Sequence, residues 1–534
     1  MADHPGEVAA TINDQRLSEE ASPLIDQLVA DAVASRLTSQ DHTLWGEAAE
    51  AEAAVRLAWT TLHETSRPLL AEIDALRAEL RAEGVDRVVL AGMGGSSLAP
   101  EVITATAGVP LTVLDTTDAD QVADALAGDL ENTVLVVSSK SGSTVETDSH
   151  RRIFEVAFRE LGIDPGSRIV VVTDPGSPLE ELASGYRRVF QADPNVGGRY
   201  SALTAFGLVP AGLAGADVAA LLDEAAAASR VLSQDTADNP AFVLAAALAG
   251  AHARGAEKVV LADTGSGITG FGDWAEQLVA ESTGKDGTGL LPVVVESPEA
   301  PGFADAGEDA TAVAIGATGG ALSTSGSLGG LILLWEYATA IAGKLLGINP
   351  FDQPDVEAAK KAARALLDNP TEQGGTGQSF VDGPIEVYGA PDGVTSLGEA
   401  LQVLTGAAPE FGYISVQAYL DRIADASAAV LRGELARKTG LQTTFGWGPR
   451  FLHSTGQYHK GGHQNGVFLQ LTGAAEIDIE VPDRPYSLNT LQLAQAAGDG
   501  QVLSGLDRPL LRLHLTDRAA GLAHLVHTLA EVAK

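Results

Sequence analysis

Residues 88–100, VVLAGMGGSSLAP, join a β-branched run to a glycine turn and then to an apolar stretch. A run apolar on both faces predicts a strand buried between two layers, and glycines at its end predict a tight turn into a helix. The same pattern recurs outward from it, in LTVLD (111–115), TVLVVSS (133–139) and RIVVVTD (168–174), each followed by a turn and a helical stretch. It restarts after about residue 225 with KVVLAD (258–263), LLPVVVE (290–296) and TAVAIGA (311–317). Strands alternating with helices predict an α/β fold of two doubly wound, mostly parallel sheets.

This pattern divides the chain into four parts. Residues 1–80 are Ala-, Glu- and Leu-rich with helical spacing, and predict a helical N-terminal segment. Residues 81–224 form the first unit and 225–370 the second. The turn-forming stretch DNPTEQGGTGQ (368–378) marks a boundary. Beyond it, 371–534 predicts an additional C-terminal α/β segment, with strands in IEVYGA (385–390), YISVQAYL (413–420), VFLQLTG (467–473) and LLRLHLTD (510–517). No short repeat is visible.

Composition narrows the function. The net charge of −37 on 534 residues opposes a nucleic-acid partner, which requires a basic footprint. A phosphate site must then be local, made of backbone N–H groups and a few cations. The chain has no cysteine, which excludes disulfides and thiolate metal sites. Its N-terminus, MADHPGEVAATINDQ, lacks the basic and apolar regions of a signal peptide. The most apolar stretch, GGLILLWEYATAIAGKLLG (329–347), carries Glu336 and Lys344 and predicts a buried core helix, not a membrane span. The expectation is a soluble, cytoplasmic protein with no membrane partner.

Two loops suggest anion binding. GMGGSS (92–97) lets backbone N–H groups approach an anion at a helix N-terminus. A dinucleotide fold would also place glycines there, with an acid about 20 residues on, and Asp115 sits at that position. Ser97, however, stands where that fingerprint has its third glycine. The second loop, SSKSGSTVET (138–147), follows the strand TVLVV and packs six hydroxyl side chains around one glycine and Lys140. A helix cap needs one hydroxyl, whereas a phosphate dianion can use several.

Together these loops resemble the sugar isomerase domain that occurs twice in the phosphoglucose isomerase family, whose first motif reads G-I-G-G-S-x-L-G-P beside GMGGSSLAP (92–100) here. The resemblance implies that Gly95 and Ser96 touch the sugar, and that Ser139, Ser141 and Thr144 hold its phosphate with Lys140 alongside. Three further stretches follow in family order. VGGRYSALTAFGL (196–208) resembles the family's G-G-R-[FY]-S and implies that Arg199 stabilises an enediolate. QLVAESTGKDG (277–287) resembles the segment ending E-S-x-G-K. It implies that Glu281 carries a proton between C1 and C2, with Gln277, one helical turn earlier, contacting substrate. FDQPDVEAAK (351–360) resembles F-D-Q-x-x-V-E-x-x-K and implies that Gln353 positions Glu281 or substrate while Lys360 assists ring opening.

The family also uses a ring-opening histidine between the last two of these motifs, and none lies here between His252 and His453. The substitute is sought in the glycine-rich stretch GWGPRFLHSTGQYHKGGHQNG (446–466), read as a loop, with His453 preferred over His459. A metal site and a structural loop are the other readings of that stretch. This C-terminal part resembles the isomerase half of bifunctional transaldolase–phosphoglucose isomerase proteins; with about 80 residues before the first motif, isomerase activity alone is expected. The resemblance thus implies a cofactor-free, metal-free enzyme of glycolysis and gluconeogenesis that interconverts glucose 6-phosphate and fructose 6-phosphate, working as a homodimer. Activity on mannose 6-phosphate too, a non-catalytic phosphosugar-binding regulator and a nicotinamide-dependent oxidoreductase remain as alternatives.

Overall fold

The computed structural model describes residues 7–368 and 377–531, so most of the boundary expected at 368–378 lies outside the described residues. Three sheets organise the chain. The first runs, edge to edge, Thr112–Leu114, Arg87–Gly92, Thr133–Ser138, Ile169–Thr173, Arg188–Gln191, all parallel. The chain starts on the second of these strands, moves outward to the edge, then crosses back to continue the other way. Arg87–Gly92 and Thr133–Ser138 therefore flank the point where the winding reverses, and the crevice beyond their carboxyl ends is the place where such sheets bind ligands.

The second sheet runs Val8–Ile12, Leu322–Gly326, Ala310–Ile315, Lys258–Asp263, Leu291–Val294. Its last four strands are mutually parallel. The predicted doubly wound architecture is thus present twice. The N-terminal segment departs from expectation at one place: from Gln15 onward its elements are helical, but Val8–Ile12 pairs antiparallel with Leu322–Gly326. The short β-branched run VAATI, alternately exposed and half-buried, covers what would otherwise be an open sheet edge.

The third sheet runs Gln378–Asp382, Ile385–Tyr388, Leu510–Leu515, Gly466–Gly473, Tyr413–Tyr419, Gln442–Trp447. An antiparallel hairpin at one edge adjoins four parallel strands. This part is fused to the other two by shared cores. Tyr413, Tyr458, Phe468 and Leu503 pack in one cluster with Val260, Leu291 and Val293 of the second sheet. Val481 and Leu488 join Leu135 and Val137 of the first. Residues 450–461 are thereby pressed against the helix Phe271–Thr283, with Gln457 Nε2 donating to the Gly284 carbonyl at 2.9 Å.

The helix Leu328–Leu346 is apolar and long enough to cross a membrane, yet it is buried within the protein, as its sequence predicts. Glu336 at its centre is fully buried, and neither carboxylate oxygen has a hydrogen-bond partner. Burial pushes this carboxyl well above its ordinary value of 4.5. Below that value the group is protonated in both folded and unfolded chains; as pH rises toward the folded value, only the unfolded chain ionises, and stability is lost. Glu336→Met is therefore expected to stabilise the protein at pH 7 by about 2 kcal/mol, the usual penalty of an unsatisfied buried polar group. The gain should shrink as the pH falls toward 4.5 in urea titrations. Equal or lower stability of the variant at pH 7 would show that the carboxyl is well accommodated.

Candidate active site

The site begins where the two expected anion loops leave adjacent strands of the first sheet. The turn Gly94–Ser96 is buried and leads into the helix Leu98–Ala107. Its glycines permit close approach. Gly94 has φ +56°, and a Cβ there would stand 2.7 Å from Gln277 Nε2 and 3.0 Å from the His453 carbonyl oxygen. A Cβ on Gly95 would come within 1.9 Å of the Gly198 carbonyl oxygen, beside Arg199. Any side chain at either position would push these segments apart.

In the second loop, Ser139 Oγ and Thr144 Oγ1 lie 3.0 Å apart, and the Gly142 N–H donates to Ser139 Oγ at 3.1 Å. The exposed Ser141 shares a 2.9 Å hydrogen bond with Ser143. The 16-residue helix Val145–Glu160 starts from Thr144 without a side-chain cap, which leaves its first-turn N–H groups and positive end directed at this hydroxyl ring. Lys140, in the same loop, is paired with Asp174.

Arg199, Glu281, Gln277 and Gln353 are brought together. Arg199 is 3% exposed, and its Nη1 donates to Glu281 Oε2 at 3.0 Å and to Gln353 Oε1 at 2.8 Å. Its Nη2 donates to the carbonyls of Pro350 and Asp352 at 3.1 and 2.9 Å, so the guanidinium cannot swing. Glu281 ends the helix Phe271–Thr283, and Gln277 sits one turn earlier on the same face. Gln277 Nε2 lies 3.5 Å from Glu281 Oε1 and donates to the His453 carbonyl at 2.8 Å.

The histidine-rich stretch is partly helical: a 3-10 turn spans Arg450–His453 and a short helix Gly456–Gly461, where a loop was expected. That helix separates the candidates. His459 is 1% exposed, bonded between Tyr413 Oη and Ser415 Oγ at 3.2 Å each and stacked on the Tyr413 ring. Burial holds its imidazole well below the ordinary value, as for a neutral core side chain. His463 is exposed beside Glu257. His453 joins the cluster: its Nε2 lies 3.2 Å from Glu146 Oε1. An ionised carboxylate only accepts, so the imidazole donates there and Nδ1 is left for other chemistry.

Glu146 was not singled out from the sequence, although it lies inside SSKSGSTVET. It is 3% exposed and also accepts from Gln495 Nε2 at 2.7 Å. Burial alone would push its carboxyl up; the His453 bond and charge, with the Lys360 ammonium, outweigh this and hold it below the usual range. Lys360, in the second turn of the helix Val356–Asp368, is thereby placed near the Glu146–His453 pair, while Gln353 precedes that helix. Among the described residues no group of His, Cys, Asp and Glu is arranged to hold a metal. Two cavities, of about 320 and 230 Å³, border the helix Phe271–Thr283 at Asp273, outside this cluster.

A hydroxyl-rich anion loop beside a fixed carboxylate–guanidinium pair, on tandem doubly wound sheets, is equipment for proton transfer on a phosphorylated substrate. The phosphoglucose isomerase family model matches residues 63–311. The chain is 30% identical over 353 residues to a probable glucose-6-phosphate isomerase of Natronomonas pharaonis, covering 55% of this chain and 82% of that one. It is 32% identical over 368 residues to the glucose-6-phosphate isomerase of Rubrobacter xylanophilus, covering 54% and 84%. Among solved structures, a hypothetical protein of Thermus thermophilus superposes with a TM-score of 0.57 at 25% identity, covering 67% of this chain and 99% of that one. A glucose-6-phosphate isomerase from Chlamydia trachomatis shares the fold with a TM-score of 0.53 at 20% identity, covering 69% and 90%. The chain belongs to the phosphoglucose isomerase family.

Proposed function

We propose that this enzyme interconverts glucose 6-phosphate and fructose 6-phosphate by moving one proton between C1 and C2 through an enediolate. The observation that carries the reading is the Glu281 carboxylate, nearly buried, 3.0 Å from a guanidinium that has no freedom to leave it. The C–H bond beside a carbonyl is acidic enough for a positioned carboxylate to remove its proton. Arg199 then offers a fixed positive charge where negative charge develops on the enediolate oxygens. Ser139, Ser141, Thr144 and the uncapped helix end hold the phosphate, Gly95 and Ser96 the sugar. His453 opens the ring with Lys360 nearby, and Glu146 orients the imidazole.

Every one of these groups belongs to a single chain. The family resemblance implies a homodimer with shared active sites; the convergence of Arg199, Glu281, Gln353 and His453 within one chain supports instead a site that one copy can fill. Conversion of fructose 6-phosphate to glucose 6-phosphate is expected in excess EDTA, with specific activity unchanged on dilution. Loss of activity in EDTA would point to a metal, and loss on dilution to a site completed by a second copy. Absence of turnover alongside retained sugar-phosphate binding would reduce the protein to a binding module.

A further inference from the structure

Lys285 ends the stretch that supplies Glu281, and the mechanism above does not use it. Its side chain is 2% exposed, enclosed just beyond the helix end at Gly284. Its hydrogen bonds go to one turn: Nζ donates to the Asn349 carbonyl at 2.7 Å, the Asp352 carbonyl at 2.6 Å and Asp352 Oδ1 at 2.8 Å. That turn is also tied internally, since Asn349 Nδ2 donates to Asp352 Oδ2 at 3.0 Å. Arg199 grips the same turn, and the Asp352 carbonyl accepts from both cations. The next residue is Gln353, whose Oε1 takes the same Arg199 nitrogen that meets Glu281.

We propose that Lys285 is a positioning residue for the isomerisation, its ammonium clamping the turn 349–353 so that Gln353 and the Arg199–Glu281 pair keep their register. This rests on the reading of Glu281 as the proton carrier. The clamp depends on charge, because a neutral amine donates two hydrogen bonds where an ammonium donates three. The charged groups around it are Arg199, Asp352 and Glu281. Burial, aided by Arg199, brings the Lys285 ammonium down to about 8 against the opposing pull of Asp352 and Glu281. Turnover should therefore fall as pH rises through about 8. The fold should not weaken with it: above that pH the unfolded chain binds the proton that the folded chain has released, so Lys285's own contribution to stability rises.

The test is the pH dependence of kcat for wild type, Lys285→Met, Lys285→Arg and Asp352→Asn, with thermal melts at each pH. Wild type should show an alkaline limb near 8 without a falling melting temperature. Lys285→Met should lose on the order of 10²-fold in kcat, as expected for misplaced catalytic groups, with KM little changed. Lys285→Arg, charged throughout, should recover part of that loss and abolish the limb. Asp352→Asn removes the partly exposed carboxylate that favours the charged amine and should move the limb to lower pH; it decides the matter if Lys285→Met does not fold. Active wild type with no limb, or a limb unmoved in Asp352→Asn, overturns this inference alone. Inactive wild type overturns the isomerase reading and this inference with it.

Discussion

Glu281→Gln is expected to lower kcat by two or more orders of magnitude, the usual loss when a positioned general base is removed. The substitution keeps shape and one carbonyl oxygen while abolishing the ability to accept a proton. It breaks a buried ion pair, which ordinarily endangers the fold. Here the guanidinium loses its counter-charge but keeps its hydrogen bonds to the Pro350 and Asp352 carbonyls and to Gln353, so its donors stay satisfied. The phosphate loop is untouched, and KM should change little. Loss of a deuterium label from C2 into water gives a second measure that does not depend on net turnover. If the variant retains activity within tenfold of wild type, or still washes out the label, Glu281 is not the proton carrier.

The sequence made legible those features that local pattern controls. Strands such as VVLAG and TVLVV are buried on both faces and read as unbroken apolar runs. RVFQ (188–191), LSTSG (322–326) and QSFVD (378–382) are short and carry no unbroken apolar run, and only their neighbours in the sheet make them strands. Val8–Ile12 pairs with a strand more than 300 residues away, a partnership that no local pattern can announce. The same distinction divides the site. Arg199, Glu281, Gln277 and Gln353 lie in contiguous stretches with fixed spacing, and they converge. Glu146 acquires its role only from His453 and Gln495, 307 and 349 positions away, so within its own loop it is simply an acid in the first turn of a helix. His453 and His459 stand six residues apart in one glycine-rich stretch, and what separates them is the helix Gly456–Gly461, which carries the second into an aromatic core.

That separation yields a sharp contrast in function. His453→Ala is expected to lower turnover of ring-closed sugar phosphate by roughly 10²-fold, the range for loss of a general acid–base group. The loss should be confined to ring opening. An aldose phosphate analogue lacking both the C4 and C5 hydroxyls closes neither a furanose nor a pyranose ring, and His453→Ala should convert it at close to the wild-type rate, because Glu281 and Arg199 are intact. Glu146→Gln should show the same selectivity in weaker form, since an amide oxygen still accepts from Nε2 but is a weaker acceptor than a carboxylate. His459→Phe offers the opposite pattern. It removes two hydrogen bonds from a buried site and leaves Tyr413 and Ser415 without their partner, so the melting temperature should fall, with no discrimination between ring-closed and open substrates. An equal loss on both substrates in His453→Ala would assign that histidine to proton transfer or binding. Selectivity appearing in His459→Phe instead would mean that the segment 450–461 rearranges in the working enzyme.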